Sequence, residues 1–229
     1  RIDAVMLERI SGSFEAGIYA MTYRLGDMLN MISYLFAVLL LPIFSRMLSR
    51  NENVEPVFKT AFKLLLTGCV WLTIVCAFHA EWILGKLYNS HISEASVVLP
   101  WTVASAGLFS LQYTTGTLLT AAGKMRVMIV ISAFALCLNI ALNFFLIPSS
   151  SSQGAAQAAF FTQLFVFCIQ VISTQRLFQV CKTPLLIRSI VFTSISLGLA
   201  TLVATFDWNP LFSISMFSFC IMTIGSLLK

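Results

Sequence analysis

Polar and apolar residues in this chain are sorted into long blocks. From Val127 to Gln175, 49 consecutive residues contain no Asp, Glu, Lys or Arg, and the run is broken only by the turn-forming stretch Pro148-Ser-Ser-Ser-Ser-Gln-Gly154. On either side lies a 21-residue apolar stretch, 127–147 and 155–175, and about 20 such residues of helix cross the bilayer hydrocarbon. The pattern predicts a membrane hairpin. Further charge-free windows at 28–45, 64–80, 95–123, 189–206 and 208–228 repeat it, which predicts seven spanning helices in all. The windows are continuously apolar, whereas barrel strands alternate over about 10 residues, so helix is expected over sheet.

Composition agrees with that pattern. Hydrophobic residues make up 59% of the chain and charged residues 10%, against about 25% charged in a soluble domain, so an all-α integral membrane protein is expected. The six cysteines sit in or beside the windows without a CxxC pair and read as small apolar packers. Of the two histidines, His79 falls at a helix end and His91 in a loop.

Charge sets the expected orientation. Alternating the loops puts Arg46, Arg50, Lys59, Lys63, Lys124, Arg126, Arg176, Lys182, Arg188 and Lys229 on one side, opposed only by Glu52 and Glu55. Cytoplasmic loops are rich in Lys and Arg, so this side is expected to be the cytoplasm, with the C-terminus inside and residue 1 outside. An external start on Arg1 with an odd span count suggests that earlier helices precede this segment. The expected organisation is the outer end of a truncated helix and an external loop over 1–17, five helices over 18–178, and two further helices over 179–229. Pro56, Pro100, Pro184 and Pro210 are expected near helix starts, while Pro42 falls deep in the first span.

Polar residues inside spans are the candidates for function, because each is costly in hydrocarbon and usually faces a bundle interior or a cavity. Arg24, Asp27, Asn30 and Tyr34 share one helical arc of roughly 120°. Arg24 offers a guanidinium that matches phosphate bidentately, with Asp27 to orient it; an interfacial i,i+3 ion pair explains the same two residues. Asn139 and Asn143 lie one turn apart, and Gln163 and Gln170 share a face, as interhelical hydrogen bonding or a hydrophilic path would require. The run Gln112-Tyr-Thr-Thr115 with Thr117 and Thr120 reads first as hydroxyls bonded to their own helix. Small residues Gly154, Ala155, Ala156, Ala158 and Ala159 would permit close helix approach. The sequence contains no catalytic constellation, metal motif or phosphate-binding glycine loop, so an enzyme, a cofactor, a metal and a nucleic-acid partner are not expected.

Several phrases together resemble the polysaccharide-biosynthesis flippases, of the superfamily that includes multidrug and toxin extrusion transporters and the lipid II flippase. They are Arg1-Ile-Asp-Ala-Val-Met-Leu7, Gly17-Ile-Tyr-Ala-Met-Thr-Tyr-Arg-Leu25, Leu41-Pro-Ile-Phe-Ser-Arg46, Leu119-Thr-Ala-Ala-Gly-Lys124, and Leu138-Asn-Ile-Ala-Leu-Asn-Phe-Phe-Leu-Ile-Pro148 followed by Gly154-Ala-Ala. The resemblance covers about residues 1–175. It implies most of the second six-helix lobe of a V-shaped transporter plus two extra C-terminal helices, starting at the end of the seventh helix, with an N-terminal lobe upstream. It further implies a multi-pass protein of the bacterial inner membrane that moves undecaprenyl-pyrophosphate-linked oligosaccharide to the external leaflet by alternating access. Asp3 and Arg24 match polar positions of the family's motifs. Arg24, Asp27, Asn30, Tyr34, Asn139 and Asn143 are then the expected substrate contacts. A multidrug or cation antiporter of the same superfamily, and a non-transporting membrane subunit or remnant, are the alternatives.

Overall fold

A chain this apolar must satisfy its backbone internally, and the computed structural model, which describes residues 2–178, 191–196, 198 and 215, is helical there apart from short turns. Six helices run in order: α1 (Ile2–Ser11), α2 (Ser13–Ser49), α3 (Glu55–Phe78), α4 (Ala80–Leu87), α5 (Ile92–Ala121) and α6 (Met125–Phe178). Of these, α2, α3, α5 and α6 are long and apolar enough to cross a membrane, so the described part of the chain has the make-up of a multi-pass membrane bundle. The windows 189–206 and 208–228 lie outside the described residues, apart from 191–196, 198 and 215.

The 54 residues of α6 would measure about 80 Å if straight, far beyond the roughly 30 Å of hydrocarbon. They fold back instead. Ser150 (φ −142°, ψ 16°) and Ser151 (φ 44°, ψ −122°) leave helical space. Asn139 Nδ2 then meets Thr162 Oγ1 at 3.4 Å, and Gln170 Nε2 meets Met128 Sδ at 3.9 Å. These pairings are antiparallel, so α6 is a hairpin of two arms, 125–149 and 152–178. The turn is tighter than the expected 148–154, because the polar groups at both helix ends find partners without unwinding. Ser149 Oγ donates to the Leu146 carbonyl at 3.0 Å, and the Ser152 N–H donates to Glu15 Oε2 at 3.2 Å. That carboxylate sits at a helix N-terminus, where the backbone dipoles favour negative charge.

Contacts between helices fix their directions. Gly26 lies against Thr102 and Ala106, Asn30 bonds Ser110, and the Tyr34 ring meets Tyr113 edge-on, so α2 and α5 run parallel. The second arm of α6 also runs with α5, since Gln112 reaches Gln163 and Thr115 reaches Gln170. α3 and the first arm run the other way after short turns. The consequence is electrostatic: Arg46, Arg50, Lys59, Lys63, Lys124, Arg126 and Arg176 gather at one end, and the hairpin tip, Glu15, Glu81 and Glu94 lie at the other. Lys182, Arg188 and Lys229 are outside the described residues.

α5 is the central helix and packs against α2, α3, α4 and α6. It can be buried despite its many hydroxyls because they bond its own backbone: Thr102 to Leu99 O at 2.9 Å, Ser105 to Thr102 O at 2.8 Å, Thr114 to Leu111 O at 2.8 Å. A Cβ on Gly26 would stand 3.1 Å from the Ala106 Cβ, so α2 reaches this distance from α5 only without a side chain there. Phe58 stacks on Phe62 and Phe62 on Phe167, joining α3 to the second arm.

Two boundaries differ from the sequence reading. Gly12 alone (φ 90°) separates α1 from α2, so residues 13–17 are the first turns of α2 and not a loop. Pro56 does occupy the first turn of α3. Pro100, however, lies inside α5, which begins eight residues earlier at Ile92 behind a left-handed His91 (φ 57°); the polar Ser93 and Glu94, ahead of the expected window 95–123, occupy its first turn.

Candidate functional site

Two adjoining cavities, of about 690 and 370 Å³, form a cleft walled by α1, α2, α5 and α6. Asp3, Phe109, Tyr113, Ala159 and Gln163 line both. The larger adds Tyr34, Asn139 and Gln170 beside apolar Val38, Leu41 and Leu136; the smaller adds Tyr23, Asp27 and Asn30.

α2 presents its polar stripe to this cleft, but not the whole of it. With Arg24 as zero and about 100° per residue, the α2 residues lining the cleft occupy an arc from about 200° to about 320°, which leaves Arg24 about 40° beyond its edge. Asp27, Asn30 and Tyr34 therefore line the cleft, and Arg24 is exposed at its rim, next in sequence to the lining residue Tyr23. Arg24 lies nine residues, about 14 Å along the helix, from Glu15 at the hairpin tip. It is well below that end of the bundle.

Asn30 Oδ1 accepts from Ser110 Oγ at 3.3 Å, and Asp3 Oδ2 accepts from the Tyr19 hydroxyl at 3.2 Å. The Tyr113 ring stands between Tyr34 (centroids 6.2 Å) and Phe109 (5.3 Å), both edge-on, as aromatic quadrupoles prefer. Asn139 lines the larger cavity, whereas Asn143 is fully buried behind it and donates from Nδ2 to Asn139 Oδ1 at 3.0 Å. The six expected contacts thus divide into four that line the cleft, one at its rim and one in support.

Among the described residues no lysine or arginine lines either cavity, while two carboxylates do. The sequence reading did not single out Tyr23, Ser105 or Phe109. Tyr23 precedes Asp27 by one turn, and Phe109 precedes Tyr113 by one turn, so a search for polar-aromatic i,i+4 pairs would have found them. His79 lies elsewhere, between α3 and α4, where burial lowers the pKa of its imidazole below the ordinary value. His91 is exposed, 3.8 Å from Glu94, with its ring against Phe14. No family model matches this chain, and no curated protein matches it.

Proposed function

We propose that the chain forms one lobe of a membrane transporter that moves a lipid-linked oligosaccharide from the cytoplasmic to the external leaflet. The observation that carries this reading is the cleft itself: aromatic faces, neutral amides and hydroxyls converge in a cavity of about 690 Å³ inside an otherwise apolar bundle. Such a lining suits a sugar, whose C–H faces pack on Tyr113 and Phe109 while its polar substituents meet Asn30, Asn139 and Gln163. Val38, Leu41 and Leu136 offer an apolar wall to the polyprenyl chain. Arg24, at the rim, is the guanidinium for a pyrophosphate. The basic end of the bundle faces the cytoplasm of a bacterial inner membrane, and a second lobe upstream completes the cavity for alternating access.

One observation favours a second reading, a cation antiporter. Asp3 and Asp27 supply negative charge, with no lysine or arginine among the described lining residues, and aromatic rings also attract cations. Transport by the complete protein in proteoliposomes separates the two. The oligosaccharide reading expects translocation of a fluorescent polyprenyl-pyrophosphate sugar, with Asp27→Asn changing its rate less than about tenfold, since asparagine keeps an acceptor oxygen for a sugar and a neutral sugar does not need the charge. Efflux of ethidium abolished by Asp27→Asn, with no sugar translocation, would replace it with the antiporter.

A further inference from the structure

We infer that Gln163, held by Gln112, is a specificity-determining residue of the cleft, presenting its amide NH2 to a ligand oxygen that carries no hydrogen of its own, such as an acetamido carbonyl. The inference rests on the oligosaccharide reading and adds to it a preference among sugars.

The orientation of Gln163 follows from a chain of obligate partners. Gln112 is buried, and its terminal nitrogen lies 3.0 Å from the Gln163 backbone carbonyl, which can only accept. The Gln112 group at that point is therefore its NH2. The same nitrogen lies 2.9 Å from the Gln163 side-chain amide, which must present its oxygen there. That leaves the Gln163 NH2 as the end not held by Gln112, on a residue that lines both cavities at the point where they meet.

Asn139 obeys the same logic from a different anchor. The Thr162 hydroxyl gives its single hydrogen to Ala158 O at 2.8 Å, so it accepts from Asn139, whose Nδ2 stands at 3.4 Å. The Asn139 oxygen then faces Asn143 Nδ2 and is used by the protein. Two amides of one cavity thus have their oxygens engaged by the protein, which leaves the Gln163 NH2 and the second hydrogen of the Asn139 NH2 to serve a ligand. A carbonyl matches that lining, and an acetamido methyl matches the adjacent Tyr113 and Phe109 rings. A hydroxyl in the same place accepts from the same NH2, but its own hydrogen then faces amide oxygens already bonded to Gln112 and Asn143, and it brings no methyl to the rings; the acetamido group carries neither cost.

The test uses the complete transporter in nanodiscs and two fluorescent polyprenyl-pyrophosphate monosaccharides that differ only in bearing an acetamido or a hydroxyl group at one carbon. Wild type is expected to bind the acetamido probe about tenfold more tightly. Gln163→Glu keeps the oxygen for Gln112 but turns the donor into an acceptor, and is expected to reduce that preference to near unity with the hydroxyl probe changed less than about threefold. Gln163→Met, similar in size and without a donor, should do the same if the glutamate variant fails to fold. Gln112→Leu releases the amide and should also lower the preference, whereas a purely structural role would shift both probes equally. An unchanged preference in folded Gln163→Glu or Gln163→Met overturns the inference while leaving the oligosaccharide reading in place. Binding of neither probe by wild type overturns both.

Discussion

If the proposed flippase function holds, replacing Arg24 by alanine in the complete protein is expected to lower surface polysaccharide display by about tenfold or more, and Arg24→Lys is expected to lower it nearly as far. A charge-assisted hydrogen bond is worth about 1.5–3 kcal/mol, and about 1.4 kcal/mol is a factor of ten. Lysine keeps the charge and loses the planar fork that grips two phosphate oxygens. The position of Arg24 sharpens the expectation, since it stands at the rim of the cleft, next to Tyr23 and three residues from Asp27, both of which line the smaller cavity. A pyrophosphate at the rim would leave the sugar among the amides and rings. Normal display with Arg24→Lys at matched protein level would remove the bidentate contact. Normal display with Arg24→Ala would remove any need for the charge and, together with loss of function in Asp27→Asn, would favour the cation reading.

Gly154→Ala is expected to be the most destabilising single-methyl addition in the described bundle. A Cβ at this position would be driven into the Leu146 carbonyl, with Leu146 C at 2.6 Å and Ile147 N at 3.1 Å behind it. All three are backbone atoms of the opposite arm, so no flexible side chain can give way, and the hairpin must splay. Overpacking costs about 1–3 kcal/mol and occasionally more; at about 2–4 °C per kcal/mol for a chain of this size, the melting temperature in detergent should fall by about 5–10 °C. Gly17→Ala is the control, because a Cβ there has open space within 4 Å and alanine is the better helix former. Equal melting temperatures for the two variants would contradict the tight hairpin.

The hairpin was legible in the sequence because lipid permits few solutions for two 21-residue apolar stretches around a polar turn. The extent of the turn was not, since serines continue a helix wherever their hydroxyls and N–H groups find partners, and the partner of Ser152 is Glu15, which is 137 residues away. The stripe on α2 was legible from periodicity, and Asp27, Asn30 and Tyr34 do line the cleft. Periodicity gives a face, but the neighbours decide which part of it is covered; this is why Arg24 falls at the rim and why Asn143 supports Asn139 instead of lining the cavity. The pairs Gln112–Gln163 and Thr115–Gln170 depend on α5 lying beside the second arm, a parallel contact that the order of windows does not specify. Local composition similarly hid the start of α5, where polar Ser93 and Glu94 stand ahead of the expected window 95–123 but are solvated first-turn residues of the helix.

The central claim is a bundle in which seven basic residues, Arg46, Arg50, Lys59, Lys63, Lys124, Arg126 and Arg176, lie at one membrane face, with the α6 hairpin tip at the other. The most direct measurement is accessibility of single cysteines, at Asn53 and at Ser150, in a cysteine-free background, to a membrane-impermeant maleimide applied to intact cells and then to inverted vesicles. Both positions are exposed, Asn53 in the turn between α2 and α3 and Ser150 at the hairpin tip. The account predicts that position 150 labels from outside and position 53 only from the cytoplasmic side. Labelling of both positions from the same side would contradict it.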